Sequence, residues 1–180
     1  MLITKTLDAA NRRKWRAWLQ KNYDKEPEIW LVYYRTNSHK ARIPYNDAVE
    51  EALCFGWIDG QVKNIDKDSY AQRFSPRRPG SKVSEMNKER IRRLMKKGKM
   101  TDAGLDKVRS RLEDKFRIPQ FILRALKLNE NAWKNFQSFP ESYKRIRIGW
   151  IANTRLSDRQ RRLKYFVKMT AKNKRYGMVQ

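Results

Sequence analysis

Two stretches of this sequence gather the residue types that hold anions. The segment FSPRRPGSKVSEMNKERIRRL sets Arg77 and Arg78 in a loop stiffened by prolines, just ahead of a helix start at Ser84. Ser81 and Ser84 offer hydroxyls there. A first helical turn adds free backbone N–H groups and the positive end of the helix dipole. Asn87 and Arg90 lie one and two turns in, where they can point back at the same spot. The pattern predicts a phosphate or carboxylate site. The same residues also describe an ordinary solvated turn closed by a capping serine.

The second stretch is SDRQRRLKYFVKMTAKNKR. Arg159, Arg161, Arg162, Lys164, Lys168 and Lys172 coat a predicted helix that contains almost no acids. Such a face can track a phosphate backbone, with each neutralised phosphate adding salt-sensitive affinity. It can lie on anionic lipid, or simply be a charged outer surface.

A third stretch, ALCFGWIDG, holds Trp57 and Asp59 beside a polar hairpin. With Arg77 they could line a small-molecule pocket, the basis of an enzyme reading. Cys54 reads as a small buried hydrophobe rather than a nucleophile. Asp59 before Gly60 reads as a turn former. His39 is the single histidine and falls in a polar turn, so no metal site and no cofactor are expected. No GxGxxG, Walker loop, HExxH, paired CxxC or GxSxG occurs, which removes the common warrants for an enzyme.

Mixed elements must position these residues. Asp8 can cap a helix over residues 9–21, and EIWLVYYR, residues 28–35, reads as a well-buried strand. Pro44 opens a helix through Cys54 that Gly56 ends. WIDGQVKNI and YAQRFS form a hairpin with a bend at Asp59-Gly60. Ser84 caps a helix ending at Gly98, and Thr101-Asp102 starts another with Leu105, Val108, Leu112 and Phe116 on one face. Beyond Pro119 only helices are predicted. One opens at Pro119, a second at Asn129 or Asn131, a third at Pro140, and a last one is capped by Ser157-Asp158. The aromatic residues Trp30, Trp57, Trp133 and Trp150 occupy apolar periodic positions and read as core. The final KNKRYGMVQ reads as a frayed tail. The fold class is therefore α+β: a small mixed sheet with helices over residues 1–117, then an all-helical part over 118–180 expected to pack on the first.

Charge narrows the function classes. The 180 residues carry 43 Lys+Arg against 19 Asp+Glu, a net charge of +24. Residues 1–70 hold 12 basic and 10 acidic side chains, whereas 71–180 hold 31 and 9. Six Trp, eight Tyr and seven Phe mark a folded chain rather than a disordered polycation. A single cysteine cannot form an internal disulfide, and no apolar run reaches membrane-spanning length. MLITKTLDAANRRKW lacks the apolar segment of a signal peptide, so the expected compartment is the cytoplasm. The lopsided field predicts an anionic partner: nucleic acid, an acidic protein or an anionic envelope component.

Three blocks in order, ALCFGWIDG, SPRRPGSKVSEMNKERIRRLMKKGKMTDAG and FQSFPESYKRIRIGWI followed by RLSDRQRRL, resemble the YdeI/OmpD-associated family, also called bacteriocin-protection proteins. The resemblance runs from about Trp15 to Val167. Val83 stands where that family usually has Trp, and IANTRLSDR departs from its usual Ala-Lys run. The resemblance implies a role in resistance to bacteriocins and cationic antimicrobial peptides or in envelope stress, association with a porin and, for some members, a periplasmic location. It implies no catalytic residues. The expectation is a basic protein that binds an anionic partner, with nucleic-acid binding through a basic face and a small-molecule enzyme as the alternatives.

Overall fold

The computed structural model describes residues 2–35, 38, 40–112 and 115–177. It divides into two compact units, residues 1–82 with 90–112 and residues 83–89 with 113–180. The expected turn at His39 lies outside the described residues.

The first unit is built on a sheet. Its elements are β1 (Thr6–Leu7), α1 (Arg12–Asn22), β2 (Ile29–Tyr34), α2 (Tyr45–Cys54), β3 (Trp57–Asn64), β4 (Ser69–Pro76), the later turns of α3 (Glu85–Lys96), α4 (Asp102–Asp106) and α5 (Arg109–Leu112). The described strands run in the order β1-β2-β4-β3. β1 pairs parallel with β2, while β2–β4 and β3–β4 are antiparallel. The β1 edge has only two residues, too few to carry a period, so the sequence pattern misses it. The bend at Asp59-Gly60 is a register shift between Asp59 and Val62.

The predicted strand at 28–35 is β2, with Ile29, Trp30, Leu31 and Tyr33 all buried, as expected of an interior strand. A cluster of rings fixes α1 to the sheet. Trp15 stacks on Trp18 at 5.4 Å and meets Phe74 edge-on at 5.4 Å; Trp18 meets Trp57 at 5.7 Å. The buried indole N–H groups are satisfied, Trp15 donating to Ala48 O and Trp57 to Tyr23 O, each at 3.0 Å.

In this unit two helices differ from the sequence reading. α1 starts at Arg12, capped by Asn11, whose side chain accepts from the Lys14 N–H at 3.0 Å. A cap must adjoin the first turn. Asp8 sits too early, on the chain leaving β1, and accepts instead from the Tyr34 hydroxyl at 2.8 Å. The single helix expected after Thr101 is two short ones. Thr101 donates to Cys54 O at 2.6 Å and caps α4 through the Gly104 N–H. This draws Gly104 so close to α2 that a Cβ there would lie 2.1 Å from Cys54 O. At Val108 the ladder shortens, its N–H bonding Leu105 O, and α5 follows.

An ion-pair network ties α1 to α2. Asp47, Glu50 and Glu51 share one face of α2, and Arg12 donates to all three, at 3.2, 2.8 and 2.5 Å. Arg16 donates to Glu51 at 2.6 Å, and Arg93 pairs with Glu50. Burial disfavours the Arg12 charge, but hydrogen bonds to Glu51 and Glu50 outweigh it and raise its pKa. Burial alone would raise Glu50; Arg12 and Arg93 overcome that and hold its carboxyl below the ordinary carboxylate value.

The second unit is helical: the first residues of α3, then α6 (Gln120–Lys127), α7 (Glu130–Ser138), α8 (Glu141–Ala152) and α9 (Leu156–Ala171). Pro119 and Pro140 stand at N-cap positions, where no intrahelical N–H is needed. Asn129, not Asn131, caps α7 by accepting from the Ala132 N–H at 2.9 Å. α9 begins one residue before the predicted Ser157-Asp158 cap. Arg155 holds the N-cap, and Asp158 sits in the first turn, where the dipole favours an acid. Ile122, Leu126, Phe136, Tyr143, Ile151 and Phe166 form the core.

Two substitutions check this packing. Gly104→Ala forces a methyl against backbone and should cost about 3 kcal/mol in urea unfolding; Gly149→Ala meets only the flexible Glu85 side chain at 2.9 Å and should cost less. Glu51→Gln should cost about 2 kcal/mol, since it takes the carboxylate from Arg16 and one of three from Arg12, both about one-third exposed. Glu28 accepts hydrogen bonds from Thr4 at 2.6 Å and Arg73 at 2.5 Å, which hold it, like Glu50, below the ordinary carboxylate value; the contribution of both to stability is full above about pH 5 and is lost as pH falls through those depressed values. A melting temperature flat from neutral pH to about 5 and falling steeply below about 4 is the expected profile.

Candidate functional site

The predicted basic helix is α9. Its cations divide by face. Arg159 and Arg162 turn back onto the C-terminal end of α8, donating to Ala152 O at 3.2 Å and Trp150 O at 2.9 Å. Carbonyls at a helix C-terminus lack intrahelical donors and carry the negative end of the dipole, so arginine suits them. The same guanidinium groups lie over rings, Arg159 over Phe121 at 5.4 Å and Arg162 over Trp150 at 4.2 Å. Arg161 pairs with Asp158 at 2.7 Å within the helix.

Lys164, Lys168 and Lys172 point away from these contacts. All three are exposed, and among the described residues none has an acid partner. They sit four residues apart, so their Cα atoms form a row with steps of about 6 Å. Beside them, again four apart, run Leu163, Val167 and Ala171. These line a groove of about 670 Å³ together with Ala125 and Leu128. Spacing could have flagged the pairing of the two rows. The depth of the groove comes from α6, which periodicity on α9 cannot reveal.

The loop–helix segment is placed differently. Arg77 is buried, and its Nη1 donates to the Ser81 hydroxyl at 3.2 Å and to Lys82 O at 3.0 Å. Its Nε and Nη2 are buried without a hydrogen-bond partner among the described residues. Burial lowers its pKa, while Asp59 pulls the other way. Arg78 is exposed, and Arg90 donates to Asn46 at 2.7 Å. Ser84 caps α3 by accepting from the Asn87 N–H at 3.2 Å, and Asn87 itself is buried. Two local pairs form, Arg77 with Ser81 and Ser84 with Asn87. Arg77, Arg78, Ser81 and Arg90 belong to the first unit; Ser84 and Asn87 belong to the second.

Trp57 lines a cleft of about 450 Å³ with Tyr23, Phe55, Pro76 and Lys107; its lining includes neither Asp59 nor Arg77. Asp59 accepts from the Tyr45 hydroxyl at 2.8 Å. That phenol is pushed up to about 12, first by burial and then by this hydrogen bond. Cys54 is buried and its thiol is pushed up by desolvation, the opposite of an activated nucleophile. Among the described residues no three His, Cys, Asp or Glu gather as metal ligands do.

One cluster escaped the sequence reading. Arg147 is buried among Tyr143, Trp150 and Tyr176, with its guanidinium 5.8, 5.7 and 4.8 Å from their ring centres. Trp150, expected in the core, is 39% exposed and serves as a platform for Arg147 and Arg162. The tail is not frayed as far as Gly177. Tyr176 packs on the core and on Tyr165, and its N–H donates to the Tyr143 hydroxyl at 3.3 Å. Tyr176→Ala should therefore cost about 2 kcal/mol in chemical unfolding, from lost burial and lost cation–π contact. A frayed tail would show no change.

Two family matches cover most of the chain. Residues 7–107 match the family described as "Domain of unknown function (DUF8412)". Residues 115–173 match the family described as "Bacteriocin-protection, YdeI or OmpD-Associated". The first two blocks that suggested the second family fall inside the first match, and the third falls inside the second. No curated protein and no solved structure matches the chain. The chain belongs to the DUF8412 family, which covers more than half of it, and its C-terminal helices carry the YdeI/OmpD-associated segment.

Proposed function

We propose that this DUF8412 protein engages an anionic partner through the cations of its YdeI/OmpD-associated helices. One observation carries the reading: Lys164, Lys168 and Lys172 form an exposed row with no acid beside it among the described residues. Residues 115–177 contain 17 Lys+Arg and three acids, so the positive field there is not cancelled locally. Screening limits such a field to about 8 Å at physiological salt, the range of a docking surface rather than of distant steering.

The family matched by residues 115–173 is described by bacteriocin protection, which supports a role in bacteriocin resistance. The physical mechanism of that role is indirect. A chain with a net charge of +24 repels cationic peptides, so it protects by acting on something negative rather than by sequestering them. No described helix is long and apolar enough to cross a membrane.

The test uses the intact protein against three polyanions: a double-stranded DNA fragment, polyglutamate and phosphatidylglycerol vesicles. At least one should bind at 50 mM salt, with log affinity falling linearly in log salt. Replacing Lys164, Lys168 and Lys172 together by Glu should reduce that slope by about 3 if the ligand is DNA. Absence of binding to all three at low salt removes the reading.

A further inference from the structure

We propose that the groove between α6 and α9 receives an amphipathic helix with an acidic edge, supplied by a partner protein. This rests on the reading that the partner is anionic and names its chemistry.

The groove is two-toned. Leu163, Val167 and Ala171 are half-buried: one side packs on the helical core, and the other lines the groove. Leu128 stands at the opposite lip, 89% exposed. Apolar side chains left this open in a chain so rich in charge mark a binding surface. The wall from Gln160 to Lys172 spans three turns of α9, about 18 Å.

The cationic row selects the occupant. Lys164, Lys168 and Lys172 rise along one rim in steps of about 6 Å. Glu or Asp at every fourth position of a partner helix repeats at the same interval, because both rows are set by the same 1.5 Å rise. A helix laid along the groove therefore buries its apolar stripe on Leu128, Leu163 and Val167 while its acidic edge meets the lysines in register. Other polyanions fit less well. The floor has aliphatic side chains and no ring, so bases have nothing to stack on.

The experiment is fluorescence anisotropy with the full-length protein and a labelled peptide of about 18 residues, Leu along one face and Glu at every fourth position on its edge. A shuffled peptide of identical composition and a version with Lys for Glu are the controls. The ordered acidic peptide should bind about tenfold tighter than the shuffled one. Leu128→Asp, at a site too exposed to affect folding, should weaken binding by about tenfold, as should Lys164→Glu with Lys168→Glu. The Lys peptide should regain binding to that double charge reversal. Equal binding of ordered and shuffled peptides, or indifference to Leu128→Asp, overturns the proposal. If DNA or vesicles bind while the ordered peptide does not, the groove proposal falls and the anionic-partner reading stands. If neither the peptide nor DNA, polyglutamate or vesicles bind, both fall.

Discussion

A shortage of carboxylates governs the C-terminal helices. Residues 115–177 must accommodate 17 cations with Glu130, Glu141 and Asp158 as their only acids. Ion pairing cannot neutralise them, so the fold uses other negative features. Ring faces take six of the cations among the described residues: Lys127, Lys144, Arg145, Arg147, Arg159 and Arg162. Helix-end carbonyls take three of these again, Lys144, Arg159 and Arg162. Each such contact contributes only about 0.5–2 kcal/mol, but each also fixes where a ring or a helix end must lie. The aromatic content of this basic chain thereby has a structural reason.

The sheet-bearing unit does use ion pairing. Three of its acids, Asp47, Glu50 and Glu51, share one face of α2, and Arg12, Arg16 and Arg93 converge on them. A guanidinium can serve several carboxylates at once because its donors fan out in a plane, which a lysine ammonium cannot reproduce. Glu51 is almost fully buried, so this network depends on α1 lying against α2, and that placement depends in turn on the Trp15, Trp18 and Trp57 cluster. Arg77 is the exception in this unit: a buried guanidinium whose Nε and Nη2 have no partner among the described residues.

The local grammar was readable. Pro44, Pro119 and Pro140 mark helix starts because proline suits a position that donates no intrahelical bond. The β3–β4 hairpin, with its bend at Asp59-Gly60, and the buried strand β2 follow from alternation and from β-branched and aromatic content. The boundaries that slipped, Asp8 for Asn11 and Ser157 for Arg155, are those where two polar residues compete and the path of the preceding chain decides. The close approach of Gly104 to the backbone of Cys54 was hidden because it joins residues fifty positions apart.

By itself the sequence settled the α+β-then-helical order, the excess of positive charge after Tyr70 and the family likeness of the C-terminal helices, since each is a property of composition or of spacing along one element. Which cations face outward belongs to tertiary structure alone. Arg159, Arg162 and Lys164 are chemically similar neighbours on one helix, yet two close onto α8 and the third opens to solvent. That distinction depends on where α8 ends and where α6 lies, relations between elements that no periodicity within α9 records.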